Sequence, residues 1–256
     1  MSKIKSAFDN GKAFIAFITC GDPDLDTTAA AVRAAVDNGA DLIELGIPFS
    51  DPTAEGPVIQ GANIRALRNG ITTDKIFEFV RELRCDVTVP LVFMTYANVV
   101  FSYGAEAFIS TCNQIGIDGL ILPDLPFEEK DEFHPICRKY GVDLISLIAP
   151  SSKDRISMLA KEAEGFLYIV SSLGVTGIRS EIKSDLSSIV DLVRQNTNIP
   201  SAVGFGISTP EQAKKMADIS DGVIVGSAII KLLEKYGKDA PKYIGEYVKI
   251  MKDVIG

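Results

Sequence analysis

The sequence predicts an α/β fold, a single-domain (β/α)₈ barrel over residues 1–256. Short continuous apolar runs alternate with stretches of helical period, which is typical of a parallel sheet covered by helices. Eight such units follow one another, and 256 residues is a usual length for one barrel. No Pro- or Ser-rich linker divides the chain. A doubly wound open sheet is the alternative fold, but no G-x-G-x-x-G motif follows the first apolar run.

Four predicted strands share one plan, in which a helix ends near a turn residue and a polar step leads into an apolar run. These segments are Gly39–Gly46, Gly116–Pro123, Gly141–Leu147 and Ser220–Gly226. The other four strands are the plain apolar runs Ala13–Thr19, Pro90–Tyr96, Phe166–Ser171 and Ser201–Phe205.

Helices are predicted between these strands, over Leu25–Asn38, Asp74–Arg84, Ala105–Ile115, Glu128–Tyr140, Lys153–Glu162 and Asp185–Gln195. Thr209-Pro210-Glu211-Gln212 has the pattern of a capping box with proline at the first helical position. We expect a short extra helix within Met1–Asn10, and another short helix that starts at Gly226-Ser227 after the eighth strand.

The net charge, the length of the apolar runs and the cysteines argue against several classes of function. The net charge is −8 with no basic patch, which argues against nucleic acid as a partner. No apolar run reaches about 18 residues and no signal segment opens the chain, so we expect a soluble cytoplasmic protein without membrane contact. The four cysteines form no C-x-x-C pair, which predicts free thiols in a reducing compartment and no zinc site.

Glu44 is a carboxylate within an apolar strand. Because strand side chains alternate, Ile43 and Leu45 share the face that suits packing against helices, and Glu44 turns into the barrel interior. Barrel active sites form at the carboxyl ends of the strands, and burial raises a carboxyl pKa toward neutrality, as proton transfer requires. A structural glutamate paired with a buried Arg or Lys is the alternative. The loop Phe49–Pro57 that follows is either a solvated turn or an active-site or partner-docking loop.

Glycine-containing segments follow the last three strands, at Ser172–Gly177, Gly204–Gly206 and Gly226–Ala228. Barrels often bind phosphate with the loops after strands seven and eight and with the N-terminus of a short extra helix. Glycine lets backbone N–H groups approach an oxyanion, and the helix N-terminus adds partial positive charge. Each glycine alone would more often be a turn residue, but together they predict a phosphate ester substrate.

Two common chemistries of barrel aldolases are disfavoured. A Schiff-base lysine would sit within an apolar strand, and no predicted strand contains a lysine. A metal site needs several converging His, Asp or Glu side chains, and the only histidine, His134, is predicted on the surface. General acid–base catalysis by carboxylates on a phosphorylated substrate remains.

The segment Glu44–Pro52, with Gly56–Gln60 behind it, resembles the signature of tryptophan synthase alpha subunits. Further matching motifs follow in family order over nearly the whole chain, at Phe17–Pro23, Met94–Asn98, Leu122–Pro126, Gly174–Gly177, Gly204–Ser208 and Gly226–Ile229. The resemblance implies cleavage of indole-3-glycerol phosphate into indole and D-glyceraldehyde 3-phosphate. It implies that Glu44 protonates C3 of the indole ring, and that Glu55 is the second carboxylate, which binds the indole N–H. The family usually has Asp at the position of Glu55.

The resemblance also assigns the remaining site. Its indole pocket corresponds to Phe17, Met94, Tyr96, Ile121, Ile148 and Tyr168, and its phosphate site to Gly177, Phe205, Gly206, Gly226 and Ser227. Phe49–Pro57 and Leu173–Glu181 correspond to lids, with Thr176 reaching the catalytic carboxylates. Pro48, Asp51, Pro52 and Thr53 correspond to the docking site of a beta subunit. That subunit carries pyridoxal phosphate and condenses indole with serine in an αββα assembly, so this chain is expected to need no cofactor.

Three alternatives stay open at this stage. The chain could be a stand-alone indole-3-glycerol phosphate lyase that releases free indole. It could be an inactive barrel that only activates a beta subunit, which the departure at Glu55 permits. It could be another phosphate-binding barrel isomerase, but the segment Glu44–Gln60 would then be unexplained.

Overall fold

The computed structural model describes residues 3–170, 181–204 and 206–256. The strand segments are β1 Ala13–Thr19, β2 Leu42–Gly46, β3 Leu91–Met94, β4 Gly119–Ile121, β5 Asp143–Ile145, β6 Leu147–Ile148, β7 Leu167–Val170, β8 Ser201–Gly204 and β9 Gly222–Val225. The α-helices are α1 Leu25–Asp37, α2 Pro57–Arg68, α3 Thr73–Leu83, α4 Ala97–Tyr103, α5 Ala105–Ile115, α6 His134–Tyr140, α7 Lys153–Lys161, α8 Glu181–Asn196, α9 Pro210–Ala217, α10 Ser227–Tyr236 and α11 Ala240–Ile255. Short 3₁₀ helices span Lys3–Phe8, Phe127–Glu132 and Gly237–Asp239.

The strands form one parallel sheet that closes into a barrel. Its order is β5-β4-β3-β2-β1-β9-β8-β7-β6, and every pairing is parallel. The two end segments, β5 and β6, are separated in the chain only by Ser146, whose carbonyl accepts a hydrogen bond of 3.0 Å from Tyr168 N. They therefore act as one interrupted strand that pairs with β4 on one side and β7 on the other. The predicted eight-stranded barrel is confirmed.

Alternate side chains of the strands pack on opposite faces, as the period of two requires. Ile43 and Leu45 belong to the large cluster between the sheet and the helices, whereas Leu42 belongs to the cluster inside the barrel. That inner cluster consists of Ala13, Ile15, Leu42, Val92, Ile121, Ile145, Phe166, Ala202 and Ile224, together with Ile4 and Ala7. Because Ile4 and Ala7 come from the N-terminal 3₁₀ helix, the predicted extra helix closes the end of the barrel opposite the carboxyl ends of the strands.

Local signals in the sequence account for most element boundaries. The capping box is present, since Thr209 Oγ1 accepts from Gln212 N and Gln212 Oε1 accepts from Thr209 N. The single helix predicted over Glu128–Tyr140 is divided into a 3₁₀ helix and α6. The division has a physical cause, because Pro135 has no N–H and its ring clashes with a preceding helical turn. Helices α2, α4 and α11 were not predicted.

The four cysteines are free, as the sequence predicted, and Cys85 alone among them is exposed. Within the described ranges, the structure has no helix that is both long enough and apolar enough to cross a membrane.

Candidate active site

Glu44 lies inside the barrel on β2. It is in register with Phe17 on β1 and Val92 on β3, and it shares the inward face with Leu42. The residue has no exposed surface, and neither carboxyl oxygen has a hydrogen-bond partner among the residues that the structure describes. A buried carboxylate normally has a cationic partner or several donors. The predicted inward orientation of Glu44 is therefore observed, and no described Arg or Lys pairs with it.

Burial decides the protonation state of Glu44. Loss of solvation penalises the charged form and raises the pKa of this carboxyl to about 8, and the nearby negative charge of Glu55 contributes to the same increase. At neutral pH the side chain is therefore mostly the neutral acid. A neutral carboxyl at this position can donate a proton to a group placed in the lumen.

Glu55 lies at the end of the loop that follows β2, just before α2 begins at Pro57. Its Oε2 accepts a hydrogen bond of 2.6 Å from Asn63 Nδ2, and its carbonyl accepts one of 2.7 Å from Gln60 Nε2. Burial raises the pKa of Glu55 to about 7, while the hydrogen bond from Asn63 lowers it. The second carboxyl is thus half-buried and close enough to Glu44 for their charges to interact, but it has a donor that favours its ionised form.

Tyr96 anchors the loop that carries Glu55. The ring of Phe49 lies 5.1 Å from the ring of Tyr96, and Tyr96 Oη accepts a hydrogen bond of 3.1 Å from Ala54 N. Tyr96 itself is buried, and burial raises its pKa to about 12. Of the four residues assigned to partner docking, Asp51 and Thr53 are exposed, Pro52 is half-buried and Pro48 is buried.

Phe17 and Tyr168 occupy space that two glycines leave open. A Cβ atom at Gly46 would lie 2.6 Å from Phe17 Cζ, and one at Gly204 would lie 2.6 Å from Tyr168 Oη. Burial raises the pKa of Tyr168, and the charge of Glu44 raises it further. The two side chains are therefore close enough to interact. The structure therefore brings both aromatic rings to the carboxyl ends of the strands around Glu44.

Met94 and Ile121 complete this part of the pocket wall. Met94 is in register with Gly46 on one side and with Ile121 on the other. Ile121 is buried in the inner cluster and Met94 packs against it. An apolar wall next to a neutral acid is suited to an aromatic ligand.

Ile148 is not brought to this pocket, in contrast to its assignment from the sequence. It is in register with Ile169 and packs with Ile156 and Leu159 in a cluster outside the barrel. Leu147, which the sequence analysis missed, is in register with Tyr168 and packs against the inner cluster. The signal was present, because counting alternate residues from Ile145 gives Leu147, not Ile148, as the next inward side chain.

Part of the predicted phosphate site lies within the described residues. Gly206 follows β8 with a φ of +78° and has open space where a Cβ would lie, and this backbone conformation favours glycine. Gly226 precedes α10 without a side-chain cap, and the exposed Ser227 is the first residue of that helix. The first-turn N–H groups of α10 are therefore oriented to receive an anion. Thr176, Gly177, Phe205 and the loop segment 173–180 lie outside the described residues.

The carboxylate pair remains the main chemical feature. In the described ranges, no group of three or more His, Cys, Asp or Glu side chains is arranged to hold a metal ion. His134 begins α6, half-buried, with Nε2 3.1 Å from Glu164 Oε1. The site thus combines a neutral acid, an ionisable neighbour, an apolar wall and a helix N-terminus.

Comparison with known proteins identifies the family. Residues 3–253 match the family described as tryptophan synthase alpha chain. A tryptophan synthase alpha chain from Lacticaseibacillus casei is 50% identical over 249 residues, which cover 97% of this chain and 94% of the relative. Tryptophan synthase subunit alpha from Legionella pneumophila has a TM-score of 0.90 and 36% identity, with 100% of this chain and 98% of that chain covered. A chain from the tryptophan synthase a2b2 complex of Pyrococcus furiosus has a TM-score of 0.85 and 33% identity, with 94% and 98% covered. This chain belongs to the tryptophan synthase alpha chain family.

Proposed function

We propose that this chain cleaves indole-3-glycerol phosphate into indole and D-glyceraldehyde 3-phosphate, with Glu44 as the proton carrier. A tryptophan synthase alpha chain catalyses a lyase reaction, and the proposal specifies the carbon–carbon bond that is broken. The observation that carries it is the buried Glu44 carboxyl, which is mostly neutral at physiological pH and has no partner among the described residues. Such a group is available to a substrate and is not committed to the fold.

The proposed reaction needs no added oxidant or water. The Glu44 carboxyl transfers its proton to C3 of the indole ring, and the ring becomes a cationic leaving group. The bond between C3 and the glycerol carbon then breaks, its electron pair returns to the ring, and the adjacent hydroxyl becomes the aldehyde. The hydroxyl proton passes to the Glu44 carboxylate, which restores the acid. One residue thus serves as acid and base in turn.

The Glu55 carboxylate has a different role in this proposal. It accepts a hydrogen bond from the indole N–H and stabilises the positive charge that develops on the protonated ring. Its pKa is lower than that of Glu44 and Asn63 donates to it, so an ionised Glu55 beside a neutral Glu44 is the favoured arrangement. When the environments of two carboxyls give them different pKa values, one can act as the acid while the other, ionised, stabilises positive charge.

The substrate is held at both ends. The indole ring lies among Phe17, Met94, Tyr96, Ile121, Leu147 and Tyr168, and the phosphate binds at Gly206, Gly226 and Ser227 with Gly177 and Phe205. Anchoring of the non-reacting phosphate supplies binding energy that can orient the reacting carbon. Closure of the loops at 49–57 and 173–181, with Thr176 near the carboxylates, would exclude water.

The partner in this proposal is a beta subunit that receives indole and makes L-tryptophan in an alpha2beta2 assembly. It is supported by the similarity of this chain to one from an a2b2 complex and by the exposure of Asp51 and Thr53. Pyridoxal phosphate would belong to that subunit, and this chain would act without a cofactor in the cytoplasm.

A direct assay tests the proposal. Purified chain is given indole-3-glycerol phosphate, and glyceraldehyde 3-phosphate is measured with and without a tryptophan synthase beta subunit. Slow cleavage that rises strongly with the beta subunit supports the proposal. Full activity that the beta subunit leaves unchanged would indicate a stand-alone lyase instead. No cleavage in either condition, with the beta reaction nevertheless stimulated, would indicate an inactive activator.

A further inference from the structure

Asn63 is a buried polar residue on α2 whose side chain faces the second carboxylate. Only 2% of its surface is exposed, and its Nδ2 donates to Glu55 Oε2 at 2.6 Å. A hydrogen bond from an amide N–H to a carboxyl oxygen is stronger when the carboxyl is ionised. Asn63 was not predicted from the sequence, since a lone Asn within a helix has no distinctive spacing.

The Glu55 side chain needs a hydrogen bond to fix its carboxylate more than a shorter Asp side chain would. Glu has one more rotatable bond than Asp, and a Cβ atom at the following Gly56 would have no neighbouring atom within 4 Å, so the local packing does not confine the chain there. Gln60 holds the carbonyl of Glu55, but Asn63 is the residue whose hydrogen bond reaches its carboxylate and counteracts the effect of burial. The position and the ionisation of this carboxylate thus depend on the same donor.

The helix that carries Asn63 is linked by Arg65 to two other elements of the barrel. Arg65, two residues further along α2, makes two hydrogen bonds of 2.8 Å to the buried Asp22 in the loop after β1. Arg65 also contacts Glu234 on α10 at 3.2 Å. These contacts connect α2 to the loop after β1 and to α10, the helix that begins at the predicted phosphate site. The donor is therefore on a rigid element, whereas Glu55 is on a loop.

We propose that Asn63 is a positioning residue, whose side-chain amide holds the Glu55 carboxylate toward the indole N–H. The inference rests on the proposed function, because it concerns the same reaction. It also explains how a long Glu side chain on a loop can have a defined position, since the amide determines where its carboxylate lies.

Two substitutions at Asn63 test the proposal. Asn63→Leu keeps the size of the side chain and removes the donor, and Asn63→Asp keeps the shape and adds a like charge. We expect kcat to fall about 10-fold in each with little change in KM, as for a charge-assisted contact needed mainly in the transition state. We also expect the acidic limb of the kcat/KM–pH profile to move to higher pH, further for Asn63→Asp than for Asn63→Leu.

Asn69→Ala is the matched control. Asn69 follows the same helix, and its Nδ2 donates to Pro23 O at 2.8 Å without contact to Glu55. It should leave the acidic limb where it is in the wild type. A purely structural role for Asn63 would lower the melting temperature without moving that limb, so thermal unfolding is measured for every variant.

A double-mutant cycle separates this inference from the proposed function. If Asn63 acts through Glu55, adding Asn63→Leu to Glu55→Gln should cost less than about 2-fold in kcat. A full additional 10-fold loss, or folded Asn63 variants with an unmoved acidic limb, would overturn the positioning role. If Asn63→Leu does not fold, the shift of the acidic limb of the kcat/KM–pH profile is measured in Asn63→Asp instead. An inactive wild type, or a fully active Glu55→Gln, would instead contradict the proposed function itself.

Discussion

Glu44 and Glu55 are held in the site by two different kinds of structure. Glu44 is part of β2, where the register with β1 and β3 sets its position and burial sets its pKa. Glu55 is on a loop, where Gln60 from the next helix binds its backbone carbonyl and Asn63 binds its carboxylate and counteracts the effect of burial on its pKa. A sheet can thus hold a buried acid in place without a hydrogen bond from any of the described residues. The loop carboxylate instead has Asn63 as a donor, and that donor favours the charged form.

Glu44→Gln should have the largest effect. It removes the transferable proton and leaves the shape of the side chain, so kcat should fall by about 10³-fold or more. The measurement is turnover of indole-3-glycerol phosphate by the complex with a beta subunit. Glu78→Gln, at an exposed position on α3, is the control and should be fully active. Full activity in Glu44→Gln would refute the mechanism.

The pH profile should show the difference between the two carboxyls. The reaction needs Glu44 protonated, so kcat/KM should fall above about pH 8, and it needs Glu55 ionised, so kcat/KM should fall below about pH 7. Each limb should approach a 10-fold loss per pH unit, which gives a loss of about 20-fold two units from an optimum at about pH 7.5. In Glu55→Gln the acidic limb should disappear. A profile that is flat from about pH 5.5 to about 9.5 would contradict these assignments.

Stability should reveal the cost of burying Glu44. Its folded pKa is raised above the value of 4.5, so its contribution to stability is complete below about pH 4.5 and is lost as pH rises through about 8. Relative to Glu44→Gln, the wild type should therefore lose about 3 kcal/mol of unfolding free energy between about pH 5.5 and about pH 8. Urea unfolding of both proteins at both pH values measures this difference. Glu55 is present in both proteins, so its contribution to the pH dependence of the unfolding free energy largely cancels in the difference. An equal difference at the two pH values would mean that Glu44 titrates normally.

Glu55→Asp should have the smallest effect. Asp keeps the carboxylate, and the loop can adjust to the shorter side chain, so we expect most of the turnover to remain, with a loss of less than about 10-fold. Steady-state kinetics on the complex with a beta subunit tests this, with Glu55→Gln as the comparison. A loss as large as that of Glu55→Gln would mean that the site requires the longer side chain.

Local patterns account for what could be predicted about the fold. The alternation around Glu44 predicted which side chains of β2 enter the barrel, and the structure agrees. The capping box at Thr209 depends on four consecutive residues and was also correct. The division between the 3₁₀ helix at Phe127–Glu132 and α6 was not predicted. The spacing of apolar residues indicated one helix, and it does not take account of the interruption that Pro135 causes.

The sequence by itself determined the barrel, the inward direction of Glu44 and the family, because alternation, element order and motif spacing are properties of neighbouring residues. Only the tertiary structure decided that Asn63 on α2 reaches the carboxylate of Glu55. It also decided that the charges of Glu44 and Glu55 affect each other. The physical reason is that pKa values and hydrogen bonds depend on distances across the closed sheet. Those distances are set by packing between segments far apart in the chain.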